Sequence, residues 1–258
     1  ESALALQQSG FQEIMLTGVN LTMYDHQGEG LGGLLEKLLA SLSDSVRIRL
    51  SSMEPDHIDD RLLDVLTDKR MQPHFHIPVQ TGSDRLLKKV DRHYTIAELA
   101  NILDRLRKAK SDPFLAADII TGLPGERDED FAATRQFILD QQFSFLHVFP
   151  FSPRPDTPLY RAQDRVPESV RDERALDLRT LSEQLHHSYR QRQVGSAAEV
   201  ILQNRKGGRW YGLSGNYLDV AVLSPPVFAR EGMLIKGTFG RMIGKEKRME
   251  FIPDATTL

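Results

Sequence analysis

Apolar residues in the first 165 positions follow two spacings, and each spacing predicts one kind of secondary structure. Short apolar runs predict buried strands at 13–18, 46–50, 74–80, 114–121 and 145–151. Helical stripes between them predict helices at about 31–42, 58–66, 83–90, 95–110 and 128–142. Strands that alternate with helices in this way indicate βα units in a parallel sheet, either curled into a barrel or open.

The pattern changes after residue 165. A long charged helix is predicted over 168–194, and five short strands separated by Gly, Asn or Pro follow it. Five short strands in about sixty residues predict a small closed barrel of the OB type. We therefore expect a partial α/β barrel over 1–165, a helical linker over 166–195 and a small all-β domain over 196–258.

The composition is that of an ordinary globular protein, with 40% hydrophobic and 27% charged residues. No apolar run is long enough to span a bilayer, and the N-terminus lacks an export signal, so we expect a cytoplasmic protein without a membrane partner. The net charge of −3 gives no general attraction to nucleic acid. One segment is locally basic, with Arg205, Lys206, Arg209, Arg230, Lys236, Arg241, Lys245, Lys247 and Arg248 against Asp219, Glu231 and Glu246.

Cysteine is absent from the sequence. Its absence excludes disulfides, thiolate metal ligands and thiol nucleophiles within these residues. The chain also opens without Met, inside a predicted helix that Gly10 ends. We therefore expect the natural protein to begin further upstream.

Each predicted strand of the first part ends in a polar or glycine-containing turn, where the functional loops of α/β barrels lie. The turns are LTGVN at 16–20, RLSSMEP at 49–55, HFHIPVQTGSD at 74–84, ADIITGLPGE at 117–126 and HVFPFSPRPDTP at 147–158. In order and spacing they resemble the methylthiotransferase family of radical S-adenosylmethionine (SAM) enzymes. GLSGNYLDVAV at 212–222 resembles the RNA-contacting TRAM domain that ends those enzymes.

Within that family the last turn and the NYLDV strand are most similar to the branch that methylthiolates N6-threonylcarbamoyladenosine beside the tRNA anticodon. The resemblance implies a TIM-like radical SAM barrel followed by an OB-like TRAM domain. It also implies SAM and 4Fe-4S clusters as cofactors, and tRNA and a reductant such as flavodoxin or ferredoxin as partners. In the family, three cysteines on an earlier loop hold a cluster. We therefore expect an N-terminally truncated chain that is inactive alone, with its cluster ligands upstream.

The resemblance and the turn chemistry together predict a set of SAM contacts. These are Thr17, Gly18, Asn20, Glu54, Gln80, Ser83, Asp118, Gly122 and the backbone of Val148 and Phe149. The turn at Thr17–Asn20 suits the methionyl group of SAM. Gly122 has no side chain and permits the backbone to approach a flat ring closely. Alternatives stay open: a plain turn at 17–20, a helix-start acid at Glu54 and a helix N-cap at Ser83. Asp118 needs a partner because an unpaired buried acid is costly.

For the substrate, Arg154 is predicted to reach a phosphate or the target adenosine, with a surface ion pair as the alternative. RNA contacts are predicted for Arg205, Lys206, Arg209, Trp210 and Tyr211. Core packing is the alternative for the aromatic residues, and it is the one expected for Tyr217. The sequence assigns no catalytic side chain and no metal ligand.

Three rival hypotheses remain. His74, His76, His147 and Asp118 would form a metal site of the hydrolase kind. We instead expect histidines of the core or the bottom rim, because the functional end of such a barrel is the opposite one. The other two are the ribosomal-protein branch of the same family and a non-catalytic RNA-binding protein.

Overall fold

The computed structural model describes residues 1–244 and 248–254. Its first part contains, in chain order, α1 (Ser2–Gln8), β1 (Glu13–Leu16), β2 (Asp25–His26), β3 (Glu29–Gly30), α2 (Leu31–Ser41), β4 (Arg47–Leu50), α3 (Asp60–Leu66), β5 (His74–Gln80), α4 (Asp84–Lys89), α5 (Ile96–Ala109), β6 (Phe114–Thr121), α6 (Asp128–Asp140) and β7 (Phe145–Pro150). The second part contains α7 (Glu168–Gln193), β8 (Ala197–Lys206), β9 (Arg209–Ser214), β10 (Asp219–Val222), β11 (Leu234–Ile243) and β12 (Arg248–Pro253).

Strands β1, β4, β5, β6 and β7 run parallel in chain order and form an open arc, here called the half barrel. β1 pairs with β4, and β5, β6 and β7 pair in turn. Single bridges from Ile48 to Met71 and from Ser52 to His76 join the two groups. The predicted parallel βα units are confirmed. Because parallel strands end at one edge, the five polar turns share one rim of the half barrel.

Alternate residues of each strand divide the half barrel into two faces. One set is buried against the helices and forms a single core with the apolar stripe of α2. This set includes Ile48, Leu50, Ile77, Val79, Leu115, Ala117, Ile119 and Leu146. The other set faces the concave side, where side chains such as His76 and His147 keep contact with solvent.

The five strands that follow α7 form a closed barrel in the order β10-β12-β11-β8-β9, here called the small barrel. Val200, Val220, Phe239 and Phe251 fill its interior, each 2% exposed or less. The predicted closed five-stranded barrel is confirmed. Lys245 and Lys247 of the predicted basic segment lie outside the described residues.

Two arginines of β4 attach the small barrel to the half barrel. Arg47 forms an ion pair with Glu199 on β8, with Nε 2.5 Å from the carboxylate. Arg49 is 1% exposed and donates to Glu13 and to the backbone carbonyls of Ser214 and Gly215. A buried guanidinium needs this many acceptors to offset its lost hydration.

Tyr217 does not fill the core of the small barrel, so that expectation is wrong. Its φ of +62° directs the side chain out of the β9–β10 turn. The ring is 42% exposed and stacks on His74 with a centroid distance of 4.1 Å. Tyr217 therefore contributes to the contact between the two barrels. In the part of the chain that the structure describes, no helix has the length and apolar content needed to cross a membrane.

Candidate functional site

A cleft opens where β5, β6 and β7 end. Its cavity volume is about 880 Å³, within the usual range for small-molecule sites. Ile120 and Phe149 supply apolar walls, while Gln80, Asp118 and Arg154 supply polar groups. Phe149 is 52% exposed, which leaves its ring available for contact. Apolar walls with a few polar groups suit a ligand that has a flat ring and a polar tail.

Gln80 has a backbone conformation that residues other than glycine rarely adopt. It ends β5 with a φ of +67°, beside a register shift in the pairing of β5 with β6. Such a conformation in a residue with a side chain costs of order 1–3 kcal/mol and is concentrated at functional sites. Gln80 also lines the cleft. The role of Gln80 as a ligand contact stays a prediction.

Asp118 has the partner that its position requires, as expected. Its Oδ1 lies 2.8 Å from His76 Nε2 on the neighbouring strand. His147, on the other side of Asp118, has its ring centroid 5.0 Å from that of His76. Partial burial against its neighbours lowers the pKa of His147, and the nearby His76 adds to this effect. These three residues lie midway along the concave face and neither in the core nor at its bottom rim.

His74 lies apart from that group. It is 6% exposed under Tyr217, and burial holds its pKa well below the ordinary value of 6.5. The expectation of a core histidine is confirmed for His74. For His76 and His147 it is wrong, because a two-residue step along each strand, from His74 on β5 and from Phe145 on β7, moves the side chain from the covered start of the concave face to its open middle.

The β1 and β4 turns form their own contact at the same rim. Thr22 donates to Asn20 Oδ1 over 3.2 Å and accepts from the backbone N–H of Glu54 over 3.0 Å. The Glu54 carboxylate is paired with Arg92. Thr17 and Gly18 are exposed on this turn. The structure therefore brings Asn20 and Glu54 together, whereas the cleft walls come from the three later strands.

Three other predicted contact residues are engaged within the fold. Ser83 occupies the N-cap position of α4, but its hydroxyl donates to Asp130 over 2.6 Å and makes no cap bond. A Cβ at Gly122 would lie 1.9 Å from the Arg171 side chain, so close packing with α7 requires this glycine. The carbonyl of Val148 accepts from Arg179 over 3.2 Å. Their roles toward a cofactor stay predictions.

The predicted RNA-contacting residues lie on the β8–β9 hairpin. Lys206, Arg209 and Tyr211 line a groove of about 680 Å³ together with Arg248 of β12. The Arg248 guanidinium lies over the Tyr211 ring, 4.8 Å from its centroid. Arg205 lies in β8 and pairs with Trp210 of β9, outside the residues that line the groove, and Trp210 packs partly against the barrel core. In the sequence, Arg248 stood out only as one of the cations of the basic segment. Closure of the small barrel brings it into this groove.

The residues of this chain suit one of the two cofactors that the sequence resemblance implies, and they do not suit the other. A cavity with an exposed phenyl ring, an amide and a carboxylate fits SAM in size and in chemistry. A thiolate-bound 4Fe-4S cluster does not fit this chain, because its 258 residues contain no cysteine.

Residues 1–138 match the Radical SAM superfamily. The chain is 35% identical over 219 residues to the threonylcarbamoyladenosine tRNA methylthiotransferase MtaB of Treponema pallidum, which covers 85% of this chain and 45% of the relative. It is 37% identical over 208 residues to the protein of the same name from Thermotoga maritima, covering 80% and 46%. The tRNA-2-methylthio-N(6)-dimethylallyladenosine synthase of Ehrlichia chaffeensis is 34% identical over 209 residues, covering 80% and 47%. The chain spans about half the length of these relatives.

Solved structures show the same fold. The radical SAM enzyme coproporphyrinogen III oxidase of Escherichia coli superimposes with a TM-score of 0.55 at 16% identity, over 81% of this chain and 54% of that one. The radical SAM methyltransferase TsrM of Kitasatospora setae, with a bound [4Fe-4S] cluster, gives 0.50 at 15% identity, over 60% and 31%. These likenesses support a TIM-like α/β fold for the half barrel. The family match covers more than half of the chain, and the chain therefore belongs to the Radical SAM superfamily.

Proposed function

We propose that this chain is the cofactor-binding and tRNA-binding part of a methylthiotransferase that modifies N6-threonylcarbamoyladenosine beside the anticodon. The observation that carries this proposal is the identity of 35–37% to relatives named for that reaction, across 80–85% of the chain. The dimethylallyladenosine relative at 34% identity also acts, by its name, on a tRNA adenosine. These names favour tRNA over a ribosomal protein as the substrate.

In this proposal the cleft holds SAM. Phe149 packs against the adenine ring, and the backbone of Val148 and Phe149 satisfies its polar edge. Gln80 and Asp118 provide an amide and a carboxylate within the same cavity. When bound, SAM supplies the radical and methyl chemistry of the family.

The remaining predicted contacts come from neighbouring turns of the same rim. Thr17, Gly18 and Asn20 of the β1 turn and Glu54 of the β4 turn hold the methionyl and ribose groups. Ser83 and Gly122 shape the β5 and β6 turns, one through Asp130 and the other by close packing with α7.

The small barrel is proposed as a TRAM domain, within a division of the chain into 1–165, 166–195 and 196–258. Its groove between β8, β9 and β12 carries cations that match RNA phosphates. Tyr211 and Trp210 offer rings for base stacking beside Arg205, Lys206 and Arg209. Arg154, exposed at the cleft, is placed to contact the target nucleotide. A tRNA substrate implies a cytoplasmic location.

Catalysis in this proposal needs cluster ligands that the 258 residues do not contain. A low-potential electron donor, such as flavodoxin or ferredoxin, is proposed as a partner of the cluster-bearing enzyme. The residues of this chain bind and orient SAM and the tRNA.

Deleting the gene for this chain in its host tests the proposed reaction. Mass spectrometry of tRNA nucleosides is expected to show loss of 2-methylthio-N6-threonylcarbamoyladenosine and accumulation of its precursor without the methylthio group. An unchanged nucleoside profile refutes the tRNA substrate. Mass analysis of ribosomal proteins from the same cells identifies the other branch if a methylthio group is missing there. If both are unchanged, a non-catalytic RNA-binding role is favoured.

A further inference from the structure

Three side chains from three neighbouring strands meet midway along the concave face. His76 of β5, Asp118 of β6 and His147 of β7 each offer one metal-binding atom, and these atoms all lie within 4.8 Å of one another. Asp118 and His147 are direct partners in the strand pairing. Because backbone hydrogen bonds fix the three strands, rigid elements hold this cluster in place.

We propose that His76, Asp118 and His147 bind one divalent transition-metal ion of the Zn²⁺ type. Two imidazole nitrogens and one carboxylate oxygen are donors that such ions prefer. With neutral imidazoles the donor set carries a single negative charge, which favours a dication. Three protein ligands also leave at least one coordination position open.

Small side-chain movements convert the present arrangement into a coordination site. With metal–ligand bonds of about 2.1 Å, the donor atoms of a tetrahedral site lie about 3.4 Å apart. The 2.8 Å contact between His76 and Asp118 has to open slightly, and the wider separations have to close. The His147 side chain is exposed to solvent, although its ring contacts the rings of Phe145 and His76, and rotation of the side chain can bring its nitrogen closer.

The presence of His147 distinguishes a metal site from a simple hydrogen bond between His76 and Asp118. The bond between His76 and Asp118 already satisfies both partners without a third residue. A metal ion uses all three side chains. The His76 and Asp118 side chains are 24% and 26% exposed, so an ion can reach them from the concave side.

The open position of the metal ion would face the ligand cleft. Asp118 itself lines that cleft, together with Gln80 and Phe149. An ion held by Asp118 therefore offers its open position to an oxygen, nitrogen or sulfur donor of the molecule in the cleft. This site adds to the SAM cleft and does not depend on the identity of the RNA.

Metal titration of the purified, chelator-treated chain tests this site. Calorimetry with Zn²⁺ is expected to show one ion per chain, and Co²⁺ is expected to give visible absorption bands of a low-coordinate site. His147→Ala and Asp118→Asn are expected to weaken Zn²⁺ binding by roughly tenfold or more. His93→Ala and His187→Ala serve as matched controls, because both histidines are exposed and lie outside the cluster.

Two results would overturn the proposal. One is equal Zn²⁺ affinity in the wild type and in His147→Ala. The other is an equal loss in His187→Ala, which would indicate scattered surface binding. His147 is exposed, so its replacement leaves the core intact, and melting curves recorded in chelator check this directly. His147→Ala alone decides the matter if Asp118→Asn does not fold.

Discussion

Replacing Arg49 by Met removes the buried charge that joins the two barrels. Met keeps much of the side-chain length but donates no hydrogen bond. Arg49 donates to both carboxylate oxygens of Glu13 over 2.8 and 3.1 Å. It also donates to the carbonyls of Gly215 and Ser214 over 2.9 and 3.0 Å. The substitution leaves a carboxylate and two carbonyls short of a donor, in a place that water reaches poorly.

The expected loss of stability follows from this burial. The side chains of Arg49 and Glu13 are only 1% and 15% exposed, so solvent screens the pair weakly. Breaking a buried ion pair on one side costs about 3–5 kcal/mol. In a protein of this size each kcal/mol lowers the melting temperature by about 2–4 °C. We therefore expect Arg49→Met to lower the melting temperature by roughly 6–20 °C.

Thermal unfolding followed by circular dichroism measures this shift. Arg61→Met is the matched control, because Arg61 also makes a two-nitrogen contact with a carboxylate, that of Glu36. That pair is 45% and 47% exposed, and its loss is expected to leave the melting temperature close to the wild-type value. Equal shifts in the two variants would show that burial is not what makes the Arg49 contact strong.

Three further predictions concern the cleft, the barrel contact and the groove. Gln80→Gly removes the side chain and relieves the strain of the φ of +67°, so calorimetry should show weaker SAM binding while the melting temperature is not lowered. Gln136→Ala, at an exposed position of α6, is the control and should keep full SAM affinity. Burial raises the pKa of Glu199, but Arg47 outweighs this effect and holds the pKa below 4.5. The difference in unfolding free energy between the wild type and Glu199→Gln should therefore be present at pH 7 and shrink as the pH falls below 4.5. A difference that grows in acid would contradict this sign. Arg209→Ala should lower the magnitude of the slope of log K for tRNA binding against log salt concentration by about 0.7–0.9, and an unchanged slope would remove Arg209 from the RNA contact.

The sequence was sufficient for the parts of the fold that local patterns determine. β5 was predicted at 74–80 and is observed at His74–Gln80, because an apolar run bounded by turn residues fixes both ends. The shared rim followed from the parallel arrangement of βα units. Contacts between distant strands carry no such local signal. Asp118 meets His147 through a register that only the assembled sheet sets.

Residues at the contact between the two barrels also escaped prediction. The strand RIRL of β4 alternates arginine with apolar residues, a pattern typical of a strand with one solvated face. All four residues are buried, because the small barrel covers the arginine side. Tyr217 was misplaced for a related reason: its positive φ depends on a turn that ordinary strand periodicity does not reveal.

We propose that the rim formed by β5, β6 and β7 binds an adenosine-bearing cofactor. Hydrogen–deuterium exchange of this chain with and without saturating SAM tests it most directly. We expect slower exchange in peptides that cover 80–84, 118–122 and 148–154, with unchanged exchange at 205–211 on the small barrel. Protection confined to the small barrel, or absent from all three rim segments, would contradict it.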